Sequence, residues 1–175
     1  MLQDKIKQTL RDVADFPKPG IIFKDITPVL KDAALCKEIT EALAQQLKEV
    51  KIDVVAGIES RGFLFGLALA QALNVPFVPI RKAGKLPYKT IKQSYDLEYG
   101  SATLEVHEDA FTSGQNVLIH DDLLATGGTV VAASQLVEQL NAKVIAYSFL
   151  ISLDFLNGRQ RLNQFAPNTF SLVSY

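Results

Sequence analysis

Residues 117–129 read Val117-Leu118-Ile119-His120-Asp121-Asp122-Leu123-Leu124-Ala125-Thr126-Gly127-Gly128-Thr129. Val117, Leu118 and Ile119 form the short apolar run of a buried parallel strand. Two adjacent acids, Asp121 and Asp122, stand where that strand is expected to end. Ala125, Thr126, Gly127, Gly128 and Thr129 follow, all small and rich in accessible backbone N–H and hydroxyl. Over 130–140 the pattern is helical, with Ala133, Leu136, Val137 and Leu140 on one face. A strand that turns through glycines into a helix N-terminus is suited to an anion. The first helical N–H groups have no partner within the helix, and the dipole places about half a positive charge there. A phosphate is the expected guest, with Thr126 and Thr129 adding O–H donors. The two carboxylates would repel that phosphate, so they are expected to accept hydrogen bonds from sugar hydroxyls or to face a divalent cation through water. The ligand implied is a sugar with free hydroxyls and a phosphate at one end. Neither a Gly-Lys-Ser/Thr phosphate loop nor a Gly-x-Gly-x-x-Gly dinucleotide turn is present. The plainer alternative is a tight turn carrying surface acids.

A second strand, loop and helix precede this one. Residues 52–58 read as a strand, Glu59-Ser60-Arg61-Gly62 as its turn, and 63–73 as an apolar helix. An arginine at the C-terminal end of a parallel strand is either a structural turn residue or a bidentate grip on phosphate. Residues 75–80 make a third strand, whose prolines suggest an edge or a strand end. The next nine residues, 81–89, hold four cations, Arg81, Lys82, Lys85 and Lys89. They are either a solvated basic loop or a second anion contact. Over 90–111 polar and apolar residues alternate around a Gly100-Ser101 break, which predicts a two-stranded antiparallel flap. Glu98 within it reads as a solvated side chain, and so does His107.

Toward the termini, residues 34–50 form the clearest helix, with Leu35, Ile39, Leu43 and Leu47 at four-residue spacing and Cys36 as ordinary packing. Residues 2–13 predict an amphipathic helix carrying Ile6, Leu10 and Val13. Two prolines and a glycine over 15–20 end it, and 21–23 are extended. Residues 143–152 predict a buried strand, 154–159 a short helix and 169–175 an edge strand. Alternating strands and helices predict an α/β fold: a parallel central sheet, helices on both faces and right-handed crossovers. Ligands then sit at the C-terminal edge of the strands, where the turns after Ile58, Ile80 and His120 converge.

With 175 residues the chain suits one domain, 1–175. A formal net charge of -1 gives no electrostatic reason to expect nucleic acid or an anionic membrane. The single cysteine excludes an internal disulfide and fits a reducing compartment. The first residues show no secretory pattern, and the longest apolar run, 63–70, is too short to span a bilayer. A soluble cytoplasmic protein is the expectation.

The stretch over 117–129 resembles the phosphoribosyl pyrophosphate (PRPP) signature of type I phosphoribosyltransferases. Phe16-Pro17-Lys18-Pro19-Gly20-Ile21-Ile22-Phe23-Lys24-Asp25-Ile26-Thr27-Pro28 resembles the hood of the adenine-specific branch, about 1–28. Glu59-Ser60-Arg61-Gly62 and Arg81-Lys82-Ala83-Gly84-Lys85-Leu86-Pro87 resemble its pyrophosphate-facing loops. The resemblance implies conversion of adenine and PRPP to AMP and pyrophosphate, with Mg²⁺ carried by PRPP and no metal held directly by the chain. It implies that Asp121, Asp122, Ala125, Thr126, Gly127, Gly128, Thr129, Arg61, Lys82 and Lys85 meet PRPP or AMP. It also implies a mobile flap over about 83–108, in which Glu98 handles a base proton and Tyr99 covers the sugar. For the base it implies stacking on Phe23, recognition by the Ile22 carbonyl and the Lys24 amide, and Leu153 on the opposite face. From the residues alone, Phe23 reads first as part of an arm packed on the core and only second as a stacking surface, and Leu153 is core. The resemblance further implies a cis Glu59–Ser60 peptide and a homodimer. Lys24 stands where many members have arginine, and His120 where an aliphatic residue is usual. A phosphoribosyltransferase for another purine base, or a non-catalytic PRPP-binding regulator, would share the PRPP loops.

Overall fold

The computed structural model describes residues 1–97 and 100–175. The chain opens with helix α1 (Leu2–Thr9), shorter than the expected 2–13. Residues beyond Leu10 leave the helix because they have a better partner. Strand β1 (Arg11–Ala14) pairs antiparallel with β2 (Ile22–Asp25), Val13 opposite Phe23 and Asp12 opposite Lys24. The Lys24 ammonium lies 2.7 Å from the Asp12 carboxylate, and Arg11 lies 3.7 Å from Asp25. This ribbon is the small N-terminal hood.

Helix α2 (Thr27–Leu30) carries Pro28 in its first turn, and α3 (Ala33–Gln46) is capped by Asp32, whose side chain accepts from the Leu35 N–H at 2.9 Å. Strand β3 (Val54–Ile58), helix α4 (Gly62–Leu73) and strand β4 (Phe77–Lys82) follow. The flap is β5 (Thr90–Asp96) against β6 (Ser101–His107). Then come β7 (Asn116–Leu124), α5 (Gly128–Gln139), β8 (Lys143–Ser152), a 3₁₀ turn (Asp154–Leu156), α6 (Gly158–Leu162) and β9 (Thr169–Ser174).

Seven strands form one sheet in the order β5-β6-β4-β3-β7-β8-β9, parallel except for the flap. Alternate residues of each strand serve two cores. Val54, Ala56, Ile119, Tyr147 and Phe149 pack with α5 and α6, while Val55, Leu118, Ala146 and Leu150 pack with α1, α3 and α4. A buried hydrogen bond of 2.8 Å between Ser134 and Tyr147 ties α5 to β8.

The prolines near β4 have a local meaning. The strand lies inside the sheet, but β6 joins it only at Arg81 and Lys82, so Pro79 adjoins β3 alone. The flap is thus continuous with the sheet at its base. Among the described residues no helix is long and apolar enough to cross a membrane.

Candidate functional site

Strand β7 does not end at its acids. It runs four residues past His120, held by β8 through Leu124 opposite Ser152, while β3 stops pairing at Gly57 opposite His120. Asp121 to Leu123 therefore have a sheet neighbour on one side and a cleft on the other. That cleft is about 490 Å³ and is lined by Glu59, Ser60, Arg61, Lys82, Asp121, Asp122 and Leu123, by the turn from Ala125 to Val130, and by Tyr95, Leu97, Ala102 and Leu104 of the flap.

The floor is the turn into α5. Gly127 has φ +82°, a left-handed conformation suited to glycine, and its carbonyl accepts the Val131 N–H at 2.9 Å. The N–H groups at the head of α5 precede that first turn and have no intrahelical acceptor. Ala125, Thr126, Gly127, Gly128 and Thr129 all border the cleft.

The acid pair stands beside this floor. Asp121 accepts the Asp122 N–H at 2.8 Å, and Asp122 is 2% exposed. Burial and then the neighbouring Asp122 charge raise Asp121 well above the usual carboxylate range. Burial also raises Asp122, with Arg61 opposing it. Arg61 follows the cis Glu59–Ser60 peptide. Its Nε lies 3.1 Å from Asp122 Oδ2 and its guanidinium lies over the Phe23 ring, 4.8 Å from the centroid. The Arg61–Asp122 contact lacks hydrogen-bond alignment, because Asp122 Oδ2 has no hydrogen-bond partner and neither does the buried Arg61 Nη1.

Carboxylates hold the basic segment. Glu59 Oε2 accepts from the Lys82 N–H at 2.9 Å and from Arg81 Nε at 3.1 Å. The buried Glu105 Oε1 accepts from the Lys85 and Leu86 N–H groups, both at 2.9 Å. Burial pushes both acids up, but these donors and nearby cations outweigh it and leave each below its ordinary value. Lys82 reaches the cleft, whereas Lys85 is exposed and does not line it.

In the hood, Ile22 is 58% exposed and Phe23 meets Phe16 edge to face at 5.1 Å. The Lys24 ammonium lies 4.0 Å from the centre of the Tyr175 ring. Leu153 packs on the core, its N–H donating to the Leu124 carbonyl at 2.9 Å. Ile22, Phe23, Lys24 and Leu153 lie outside the cleft lining, and Arg61 bridges Phe23 to it. Glu98 and Tyr99 fall outside the described residues. His120 is fully buried opposite Ser148, and neither ring nitrogen nor the Ser148 hydroxyl has a hydrogen-bond partner. Burial pushes this imidazole down to about 4, against a raising backbone contact at Ser148.

Sequence reasoning missed two residues behind the floor. Gly158 packs so closely that an added Cβ would lie 2.2 Å from the Ala125 carbonyl oxygen. Arg161 donates to the Thr126 carbonyl at 3.1 Å. Neither left a local signal, since each meets the turn from about 35 residues further along. The flap wall was legible: Tyr95, Leu97 and Leu104 belong to the alternation read over 90–111.

The phosphoribosyl transferase domain family matches residues 26–162. The chain is 52% identical over 175 residues to adenine phosphoribosyltransferase of Cytophaga hutchinsonii, covering 100% of this chain and 97% of that one. Its structure is similar to adenine phosphoribosyltransferase of Thermoanaerobacter pseudethanolicus, with a TM-score of 0.96, 50% identity and full coverage of both chains. It is also similar to the Saccharomyces cerevisiae enzyme solved with adenine and an imino-altritol bisphosphate, with a TM-score of 0.90, 45% identity and 98% coverage of each chain.

Proposed function

The chain belongs to the phosphoribosyl transferase family and, within it, to the adenine phosphoribosyltransferases, and from that premise we propose how this cleft joins adenine to the ribosyl 5-phosphate of PRPP, giving AMP and pyrophosphate. The observation that carries the reading is the convergence, at the C-terminal ends of β3, β4 and β7, of a glycine-rich turn at the head of α5, an acid pair and Arg61 with Lys82. PRPP is the ligand that uses all three: a phosphate at one end, two ring hydroxyls in the middle and a pyrophosphate at C1.

The 5-phosphate rests on Ala125 to Thr129, taking backbone N–H bonds at the head of α5 and O–H bonds from Thr126 and Thr129. Asp121 and Asp122 accept from the ribose hydroxyls. As the bond to pyrophosphate loosens, positive charge grows on the sugar ring, and the acids beside it favour that charge. Arg61 and Lys82 meet the departing anion, with Lys85 joining as its loop closes. Adenine N9 then attacks from the opposite face and inverts the anomeric carbon. The hood presents the base: Phe23 stacks on it, Leu153 faces its other side, and the Ile22 carbonyl and Lys24 N–H read its donor and acceptor edge. Glu98 takes the base proton and Tyr99 covers the sugar as the flap moves in to exclude water.

Mg²⁺ belongs to this reading as a substrate-borne ion. Among the described residues no group of three or more His, Cys, Asp or Glu could hold a metal. Asp121 and Asp122 would reach the ion through water, and it would neutralise pyrophosphate charge. A homodimer fits the apolar outer face of α4, where Leu64 and Leu67 are 48% and 49% exposed just beyond the Arg61 turn. A cytoplasmic setting fits the free Cys36.

The test is to incubate the chain with PRPP, Mg²⁺ and an equimolar mixture of adenine, hypoxanthine and guanine. AMP should be the nucleotide formed. IMP or GMP as the main product, or PRPP binding without pyrophosphate release for any base, would overturn the reading.

A further inference from the structure

Three features of Arg61 belong together. Its guanidinium lies over the Phe23 ring at 4.8 Å. Its Nε lies 3.1 Å from Asp122, without hydrogen-bond alignment. Its Nη1 is buried with no acceptor. An arginine that settles into its surroundings pairs bidentately with a carboxylate and satisfies its donors. This one does neither. It spans the hood and the acid pair, holding each by charge or by a flat face and neither by directed bonds.

We propose that Arg61 is a removable plug on the hood aromatic: in the free protein it covers the ring face that the base needs, and the pyrophosphate end of PRPP draws it away. This rests on the function proposed above. The physical exchange is simple. A cation over a phenyl ring gains a modest attraction, and a buried donor without an acceptor carries an unrecovered desolvation cost. A pyrophosphate oxygen supplies the missing acceptor in a charge-assisted bond, which is stronger than the ring contact it replaces. The phosphate end of the cleft and the base site are thereby coupled: filling the first clears the second. Asp122 is freed in the same movement, at the moment when ribose hydroxyls arrive to use it. The coupling is reciprocal by linkage, so adenine on the ring should also favour pyrophosphate.

Adenine binding to the full chain, measured by calorimetry with and without Mg²⁺-pyrophosphate, tests this. For the wild type, pyrophosphate should tighten adenine binding. In Arg61→Ala, adenine alone should bind roughly two- to thirtyfold tighter than to the wild type, the equivalent of the lost ring contact, and pyrophosphate should add nothing. Should Arg61→Ala fail to fold, Arg61→Lys carries the test: it keeps the charge facing Asp122, loses the flat face, and should shift adenine binding in the same direction by less. Adenine binding that is unchanged or weaker in a folded variant, or a pyrophosphate effect that survives the substitution, overturns the proposal. AMP formation by the wild type is measured alongside. If AMP forms and the coupling is absent, the plug alone is wrong. If no AMP forms, the function it rests on fails with it.

Discussion

Gly158→Ala tests whether the proposed phosphate floor depends on a residue outside it. The added Cβ would lie 2.2 Å from the Ala125 carbonyl oxygen, 3.0 Å from Leu124 Cδ1 and 3.2 Å from the Ala125 carbonyl carbon. Ordinary contact is about 3.5 Å, so a gap of more than ~1 Å must open, and the nearest atom is backbone that cannot rotate aside. The backbone that yields is either the start of α6 or the turn proposed to hold the phosphate. Overpacking of this kind costs about 1–3 kcal/mol, which at roughly 2–4 °C per kcal/mol lowers Tm by about 2–12 °C for a chain of this length. A misplacement of ~1 Å at a positioning element costs about 10²-fold in rate, and here it should appear in kcat/KM for PRPP. Gly114→Ala is the control. Gly114 has φ +81° with no atom within 4 Å of an added Cβ, and it lies before β7, at the end of the sheet away from the cleft. It should lose about 1–2 kcal/mol to backbone strain and keep its turnover. Differential scanning fluorimetry and steady-state kinetics on both variants separate the effects. A Gly158→Ala protein with wild-type Tm and wild-type kcat/KM for PRPP would refute the reasoning.

Three further outcomes follow from the same geometry. Asp121→Asn should lower turnover by about 10²-fold or more through loss of sugar-side charge, yet raise the Tm of the ligand-free protein at neutral pH. Burial and the Asp122 charge hold the Asp121 pKa above its unfolded value of 3.8, so the native state binds the extra proton and wild-type stability falls as pH rises through that window; a lower Tm for the variant at pH 7.5 would contradict this. His120 has the opposite sign: its pKa falls from 6.5 to about 4 on folding, so the unfolded state binds more protons and stability is lost as pH drops below 6.5. Urea titrations at pH 7.5 and pH 5 should show His120→Val losing less stability between them than the wild type, out of a full effect of ~3 kcal/mol. Phe23→Ala should raise KM for adenine by the value of base stacking, about 1–3 kcal/mol or roughly 5- to 150-fold, without raising KM for PRPP; equal rises in both would mean that Phe23 only braces the hood.

What could be read from the sequence was whatever leaves a local trace. The run Val117 to Ile119, the small residues after it and the periodic helix beyond are neighbours along the chain, so the floor of the cleft was legible at residue level. The strand from 143 to 152 was legible to its exact limits, Lys143–Ser152, because both its faces are buried. Partners distant in sequence were not legible. Arg11 to Val13 look helical alone and become part of a strand because Phe23 to Asp25 pair with them. Asp121 and Asp122 look like a strand end and lie inside one because β8 continues beside them after β3 has stopped. Lys82 and Lys85 look equivalent in a basic loop, but the Glu105 anchor for the Lys85 N–H comes from β6, and the side chain stays outside the cleft. Gly158 and Arg161 reach the floor only through the return of α6.

The polar groups at this cleft share a property that their individual contacts do not explain. Two acids adjoin each other and both resist ionisation. Arg61 buries a donor with no acceptor, and Asp122 buries an oxygen with no donor, although the two side chains are 3.1 Å apart. Other buried groups are satisfied: Glu105 collects two backbone N–H bonds, and Ser134 bonds to both Tyr147 and the Val130 carbonyl. Arg61 and Asp122 are left short where they meet the cleft, as His107, His120, Ser148 and Thr169 are away from its lining. Unsatisfied buried groups cost about 1–3 kcal/mol each, and that cost is relieved by a ligand bearing hydroxyl donors for the acids and anionic oxygens for the arginine. Binding PRPP thus returns stability that the empty cleft lacks, and a PRPP analogue without the ring hydroxyls returns less of it, even with both phosphate ends intact.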